Sequence, residues 1–205
     1  MAKNILGIDD HYLRYPKDEW GWTDLNNPDM VNPWIDINKL INPKKVIEIG
    51  MFAGHASLIM MTVFKNLEYL VSYDPDPISS LNAKQIKKYW PIHHHEPKPI
   101  WDDWKKFEDD EIDFIFVDGN HNKISVTRDL QTCMKIKPNY LVLDNIEQPE
   151  VRRMAKLKFG LFSKRHDPKY YFYTNEKWSS TTEEWCVSPG IMGLFRMKGT
   201  YDDDI

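Results

Sequence analysis

The chain has 205 residues, enough for one domain with a full core or one domain plus extensions. Hydrophobic residues make up 41% and charged residues 28%, the balance of a globular protein rather than a disordered or fibrous one. The net charge of −4 lacks the basic surplus of a surface built to grip nucleic acid. Neither Cys133 nor Cys186 sits in a CxxC pair, which disfavours a zinc ribbon or a disulfide framework. No apolar run approaches membrane-spanning length and the start lacks a signal-peptide core, so a cytoplasmic protein with no membrane partner is expected.

Residues 1–27 show no period and read as loop. Asn27-Pro28-Asp29 then has the composition of a helix start, and Val31, Trp34, Ile35 and Ile37 carry the helix to about Ile41, where Asn42-Pro43 breaks it. Lys45–Ile49 reads as the first strand, the apolar run after His55 as a buried helix, and Glu68–Tyr73 as the second strand. A helix over Ile78–Trp90 follows. Three prolines between Pro91 and Pro99 exclude a regular helix there, and a short third strand is expected around Lys98–Trp101. His93-His94-His95 falls in that Pro-bounded stretch and reads as surface loop rather than metal ligand. Ile112–Val117 is a continuous apolar run of the kind buried on both faces, and Tyr140–Leu143 is the fifth strand, with a helix over Ile124–Lys135 between them. A basic helix over 148–159 precedes two strands, Lys169–Tyr173 and Gly190–Met197, expected to pair antiparallel.

The alternation of strands and helices over 45–145 predicts a doubly wound, mostly parallel, seven-stranded α/β sheet of Rossmann-like type, with the antiparallel C-terminal pair added. Residues 1–44 form an N-terminal extension or lid with one helix, and 45–205 the main domain. Aromatic residues cluster at both ends (Tyr12, Tyr15, Trp20, Trp22 and Trp34; Tyr170 to Tyr173, Trp178 and Trp185). They serve either as terminal packing or as a lid over an apolar substrate.

The segment Val46-Ile47-Glu48-Ile49-Gly50-Met51-Phe52-Ala53-Gly54-His55 runs from strand through a two-glycine turn into a helix start. That order builds a nucleotide-sized pocket at the carboxyl edge of a parallel sheet. Strand ends elsewhere carry Asp74, Asp118 and Asp144, and in such a fold these ends converge on the ligand edge. Asp74 lies 20 residues beyond Gly54, the spacing at which an acid accepts ribose hydroxyls. The GxxxG spacing is not the GxGxxG of pyrophosphate sites, and Glu48 beside the loop suits an ammonium better than a phosphate. An adenosine ligand with an amino-acid tail is favoured over NAD.

E-x-G-x-aromatic-x-G, then Asp74, then Asp113-Phe114-Ile115-Phe116-Val117-Asp118-Gly119-Asn120-His121, then Tyr140-Leu141-Val142-Leu143-Asp144-Asn145, resembles the class I S-adenosylmethionine-dependent methyltransferases over residues 45–146. The closest resemblance within them is to the divalent-metal-dependent small-molecule O-methyltransferases of catechol and caffeoyl-CoA type and to related families with a D-G-x-H signature. It implies that Glu48, Gly50, Phe52 and Gly54 hold the methionine tail and Asp74 the ribose. It also implies that Asp102 (or Asp103) faces the adenine amine and that Asp118 borders the cofactor. In the metal-dependent members the positions of Asp118, Asp144 and Asn145 hold the ion, hard oxygen donors suited to Mg²⁺ or a similar cation that activates and orients a hydroxyl.

Where that family has a catalytic lysine, this chain has His121, a residue equally able to take a proton, to ligate a metal or to serve structure. The expected activity is O-methylation of a small-molecule hydroxyl, with catalytic His121 and Asp118. A metal-independent enzyme using His121 as base and a non-catalytic nucleotide-binding module are the alternatives. No Asp/Asn-Pro-Pro-aromatic motif follows the fourth strand, which disfavours methylation of a nucleic-acid base, and no nucleic-acid partner is expected. Oligomeric state is left open, a homodimer included.

Overall fold

The computed structural model describes residues 28–146, 148–159, 171–174, 177–179 and 192–197. The aromatic residues before Trp34, the basic residues Lys164 and Arg165, Trp185 and Cys186 lie outside them. The chain falls into two compact units, residues 1–99 and 100–205.

The first unit opens with helix α1 (Pro28–Ile41). Val31, Trp34 and Ile37 form its buried stripe, and the Trp34 ring lies 6.2 Å from that of Phe64. Asn42 closes the helix in the left-handed conformation (φ 51°), a role that short polar side chains tolerate. Three parallel strands follow, β1 (Lys45–Ile49), β2 (Tyr69–Tyr73) and β3 (His93–Glu96), in the order β3-β2-β1. Helix α2 (His55–Val63) joins the first two strands and buries seven of its nine residues, as its apolar sequence requires. Helix α3 (Pro77–Tyr89) joins the next two. Asp76 caps it by accepting a hydrogen bond from the Ile78 N–H at 2.7 Å, with Pro77 in the first turn.

The third strand is not where the sequence predicts it. Lys98–Trp101 is not a strand; residues 100–102 form a 3-10 turn. The strand is His93–Glu96, with His93 paired to Leu70 and His95 to Ser72. A polar run between prolines looks like loop because it lacks apolar alternation, yet an edge strand needs only one buried face. His93 supplies it, at 1% exposure.

In the second unit β4 (Phe114–Val117) and β5 (Tyr140–Leu143) pair in parallel, joined by α4 (Lys123–Ile136). Asn122 caps α4 by accepting from the Ile124 and Ser125 N–H groups, each at 3.0 Å. Helix α5 (Pro149–Phe159) follows β5. Strands β6 (Tyr171–Thr174), β7 (Lys177–Ser179) and β8 (Met192–Arg196) complete the order β4-β5-β8-β6-β7, and β8 runs antiparallel to both β5 and β6. The C-terminal pair is therefore present as expected. The short strand β7 was not expected and makes eight strands among the described residues rather than seven. All four residues of β4 are buried, each large side chain contributing about 1.5–3 kcal/mol. No helix among the described residues is long and apolar enough to cross a membrane.

Candidate active site

The Gly50–Gly54 loop leaves the carboxyl end of β1, and its backbone adopts positive φ at Gly50 (88°), Phe52 (42°) and Gly54 (87°). An L-residue at Phe52 pays for that conformation, so something must hold it there. Asp74, at the end of β2, does so. Its Oδ2 accepts hydrogen bonds from the Met51 N–H at 2.9 Å and the Phe52 N–H at 2.7 Å, and its Oδ1 accepts from the Asp76 N–H at 2.8 Å. Expected as a ribose acceptor, Asp74 is here the latch of the glycine loop, with only 8% of its surface exposed. Oδ2 is filled by its two N–H donors, and Oδ1 retains acceptor capacity for a ligand hydroxyl.

Glu48 lies beneath the loop and is fully buried. Its Oε2 accepts from the Ser57 hydroxyl at 2.5 Å and from the Ser72 hydroxyl. Ser72, its register partner on β2, also meets His93 Nε2 at 2.9 Å. Burial pushes the Glu48 carboxyl up to about 7, opposed by the two serine hydrogen bonds and reinforced by the charge of Asp74. Burial likewise lowers His93 to about 3, so its ring is neutral. Glu48 Oε1 has no hydrogen-bond partner among the described residues. The sequence flagged Glu48 but not Ser72 or His93. The cross-strand pairing that joins them has no local signature.

In the second unit Val117 and Leu143 are register partners, so Asp118 and Asp144 follow side by side at the carboxyl ends of β4 and β5. The Asp144 N–H donates to the Val117 carbonyl at 3.0 Å. Asn145 takes φ 52°. His121 Nε2 stands 3.5 Å from Asp118 Oδ1, and Nδ1 stands 3.1 Å from the amide nitrogen of Gln148. A donating Gln148 makes Nδ1 the acceptor and leaves the ring proton on Nε2, facing Asp118. A narrow recess beside this pair is lined by Val117, Leu143 and Val151 and by His121, Asp144 and Asp129. Asp102 is exposed in its 3-10 turn and Asp103 pairs with Lys106 at 2.5 Å. Among the described residues no three of His, Cys, Asp or Glu are grouped to hold a metal; the expected triad has two such residues and an amide.

Residues 47–143 match a family model described as a methyltransferase domain. The matched stretch, just under half of the chain, includes the glycine loop, Asp74, Asp118 and His121 and ends one residue before Asp144. A sequence search of curated proteins found no match. Among solved structures the chain is similar to the methyltransferase domain of bacterial CtHen1, at 13% identity and TM-score 0.60, over 83% of this chain and 98% of that one. It is also similar to an O-methyltransferase from Bacillus cereus in complex with SAH, at 13% identity and TM-score 0.58, over 86% and 84%. A third likeness is to a candidate RNA methyltransferase from Pyrococcus horikoshii, at 13% identity and TM-score 0.57, over 91% and 90%. At these identities the likenesses establish the fold: the doubly wound, mostly parallel class I methyltransferase fold that the motifs resemble.

Proposed function

We propose that this chain uses S-adenosylmethionine to methylate a hydroxyl oxygen of a small molecule. The reading rests above all on the loop, whose backbone bends through three positive φ angles while Asp74 gathers two of its N–H groups. The cofactor supplies a sulfonium-bound methyl group open to in-line attack. Gly50, Phe52 and Gly54 shape the cradle, and Asp74 Oδ1 retains a lone pair for a ribose hydroxyl. The unsatisfied Oε1 of Glu48 favours an ammonium group at the loop, as a methionine tail carries, and a cation there draws Glu48 toward its ionised form. Asp102 is the candidate for the adenine amine.

His121 is proposed as the base that takes the acceptor's proton, with Asp118 stabilising the imidazolium that forms. Deprotonation needs a free acceptor nitrogen, so Gln148 must release Nδ1 or turn its amide. An O-methyltransferase with bound SAH among the structural relatives supports the choice of oxygen. The relative titled as a candidate RNA methyltransferase has the same fold, so the acceptor class rests on the motifs rather than on the fold.

A second reading adds a divalent cation. The adjacent Asp118 and Asp144 carboxylates with the Asn145 amide are hard oxygen donors of the kind Mg²⁺ takes, and their neighbouring strand ends suit it. When bound, such an ion polarises a substrate hydroxyl. A cytoplasmic location completes the proposal, with the oligomeric state left open.

Calorimetry with S-adenosylmethionine and with NAD tests the cofactor. Binding of NAD alone would leave a nucleotide-binding module in place of a methyltransferase. Once turnover is measured on an acceptor panel, chelation separates the two readings. Activity lost with EDTA and restored by Mg²⁺ establishes the ion, and full activity after chelation leaves His121 acting without it.

A further inference from the structure

Glu48, Ser72 and His93 stand on three adjacent strands, β1, β2 and β3, and all three are buried. Apolar residues are the ordinary occupants of such positions in a parallel sheet. Glu48 and Ser72 are register partners. His95 is the register partner of Ser72, so His93, two residues earlier, presents its ring to the same face and reaches Ser72 diagonally. Counting protons gives the direction of the bonds. The Ser72 hydroxyl has one proton, and its contact with Glu48 Oε2 is shorter than its contact with His93 Nε2. Ser72 therefore donates to the carboxylate and accepts from His93, whose ring proton lies on Nε2. Ser57 donates to the same carboxylate oxygen from α2. All of these donors serve Oε2, while Glu48 Oε1 and His93 Nδ1 have no hydrogen-bond partner among the described residues.

We propose that His93 is a positioning residue for the cofactor: by donating to Ser72 it strengthens the Ser72 bond to Glu48, favours the ionised carboxylate and leaves Oε1 for the ammonium group of the methionine tail. The proposal rests on the S-adenosylmethionine reading for the ammonium group, though not for the control of Glu48 by His93. A hydroxyl that accepts a hydrogen bond becomes a better donor, so the three side chains act as one chain. Burial favours the protonated form of Glu48 and pushes it up to about 7, and the charge of Asp74 at the end of β2 adds to that. The bonds from Ser57 and Ser72 oppose the shift, and His93 stands behind the second of them. His93 itself stays neutral, because burial, His95 and His94 on its own strand and Lys87 on α3 all disfavour its charged form. It is therefore a fixed donor. A bonding pattern that satisfies one carboxylate oxygen and leaves the other bare suits a group that awaits a cation, since an unmade bond in the core is costly.

Nitrogen-15 NMR of the histidines in the full wild-type chain tests the direction of the bonds without any variant. His93 is expected to carry its proton on Nε2. A proton on Nδ1 would make Nε2 a competitor for the Ser72 hydroxyl and overturn the proposal. Carboxyl carbon-13 NMR of the free protein then reads the titration midpoint of Glu48. His93→Leu is expected to raise that midpoint by about half a pH unit, which is about threefold in proton affinity. His93→Gln, whose amide nitrogen reaches nearly the place of Nε2, is expected to restore it. In a Ser72→Ala background His93→Leu is expected to add nothing, because the two residues act in one path. An unchanged midpoint in His93→Leu, or additive shifts in the double variant, would overturn the proposal. Calorimetry with S-adenosylmethionine from pH 5.5 to pH 8 supplies the second readout. The affinity of His93→Leu is expected to be about threefold below wild type at the acid end and to approach it at the alkaline end, where Glu48 is ionised in both. A loss of equal size at every pH would mark a merely structural role. A wild type that binds no S-adenosylmethionine loses the cofactor reading, and the Glu48 midpoints still decide the control by His93. One that binds the cofactor with unchanged midpoints loses the control by His93 alone.

Discussion

The carboxylate of Asp74 accepts a 2.7 Å hydrogen bond from the backbone N–H of Phe52, a residue held at φ 42°. The bond runs from the end of β2 to the middle of the glycine loop, so one side chain fixes the shape of the cradle. It acts together with the bond to the Met51 N–H.

Asp74→Ala removes both bonds and leaves two N–H groups of a tight loop without their acceptor. Hydrogen bonds to a charged group contribute about 1.5–3 kcal/mol each. The expected result is at least tenfold weaker S-adenosylmethionine binding by calorimetry, with a lower melting temperature even in the absence of ligand. Asp74→Asn, which keeps one carbonyl acceptor, is expected to fall between. A ribose contact alone would leave the melting temperature of the free protein unchanged.

Gly54→Ala acts on the same loop from its far end. At φ 87° an alanine is strained by roughly 1–2 kcal/mol. The added Cβ would come within 2.7 Å of Ile86 Cδ1 and 2.9 Å of Met51 Cε, both ends of flexible side chains that can shift. Backbone strain is therefore the larger effect. Urea unfolding should show a loss of that size, and cofactor binding should weaken with it.

Glu48 makes stability depend on pH in a defined direction. Its folded pKa of about 7 stands above the ordinary 4.5, so between those values the unfolded chain has released a proton that the folded chain keeps. Stability from this group falls as pH rises from about 4.5 to about 7 and stays lost above. His93, lowered to about 3 from 6.5, acts oppositely: its contribution grows as pH rises between those values. Glu48→Gln keeps an acceptor for Ser57 and Ser72 and removes only the falling contribution. Its stability relative to wild type should climb from pH 5 to pH 8, by up to about 3 kcal/mol, since a tenfold change in proton affinity corresponds to about 1.4 kcal/mol. Parallel curves in urea unfolding across that range would show that Glu48 does not titrate there.

His121→Ala should lower kcat by about 10²–10⁴ and leave S-adenosylmethionine affinity unchanged, as removal of a general base does. Gln148→Ala takes away the amide that occupies Nδ1. Its effect should appear in the pH profile of kcat more than in KM, because the ring nitrogen that accepts the proton changes its neighbour. Identical pH profiles for wild type and Gln148→Ala would mean that the contact has no part in proton transfer.

Much of this organisation was readable beforehand, for reasons that differ by element. Strands β1, β2, β4 and β5 are short apolar runs bounded by turn residues, and each appears within two residues of its expected limits. Helix α1 begins and ends at its Pro and Asn-Pro signals. By contrast, β3 hides in His93-His94-His95 because its register comes from hydrogen bonds to β2 rather than from its own pattern. The acids at the strand ends were legible because each stands at a strand-to-loop boundary. The residues around Glu48 and His121, namely Ser72, His93 and Gln148, come from other elements and show only once the chain is folded.

The alternation of positive φ at Gly50, Phe52 and Gly54 has one more consequence. Every second residue of the turn sits where glycine is the natural occupant, so the backbone is that of a three-glycine turn with a benzyl group left on its middle member. Phe52→Gly would relax the backbone there while removing a side chain placed at the cradle. Affinity and ease of folding thus pull that position in opposite directions.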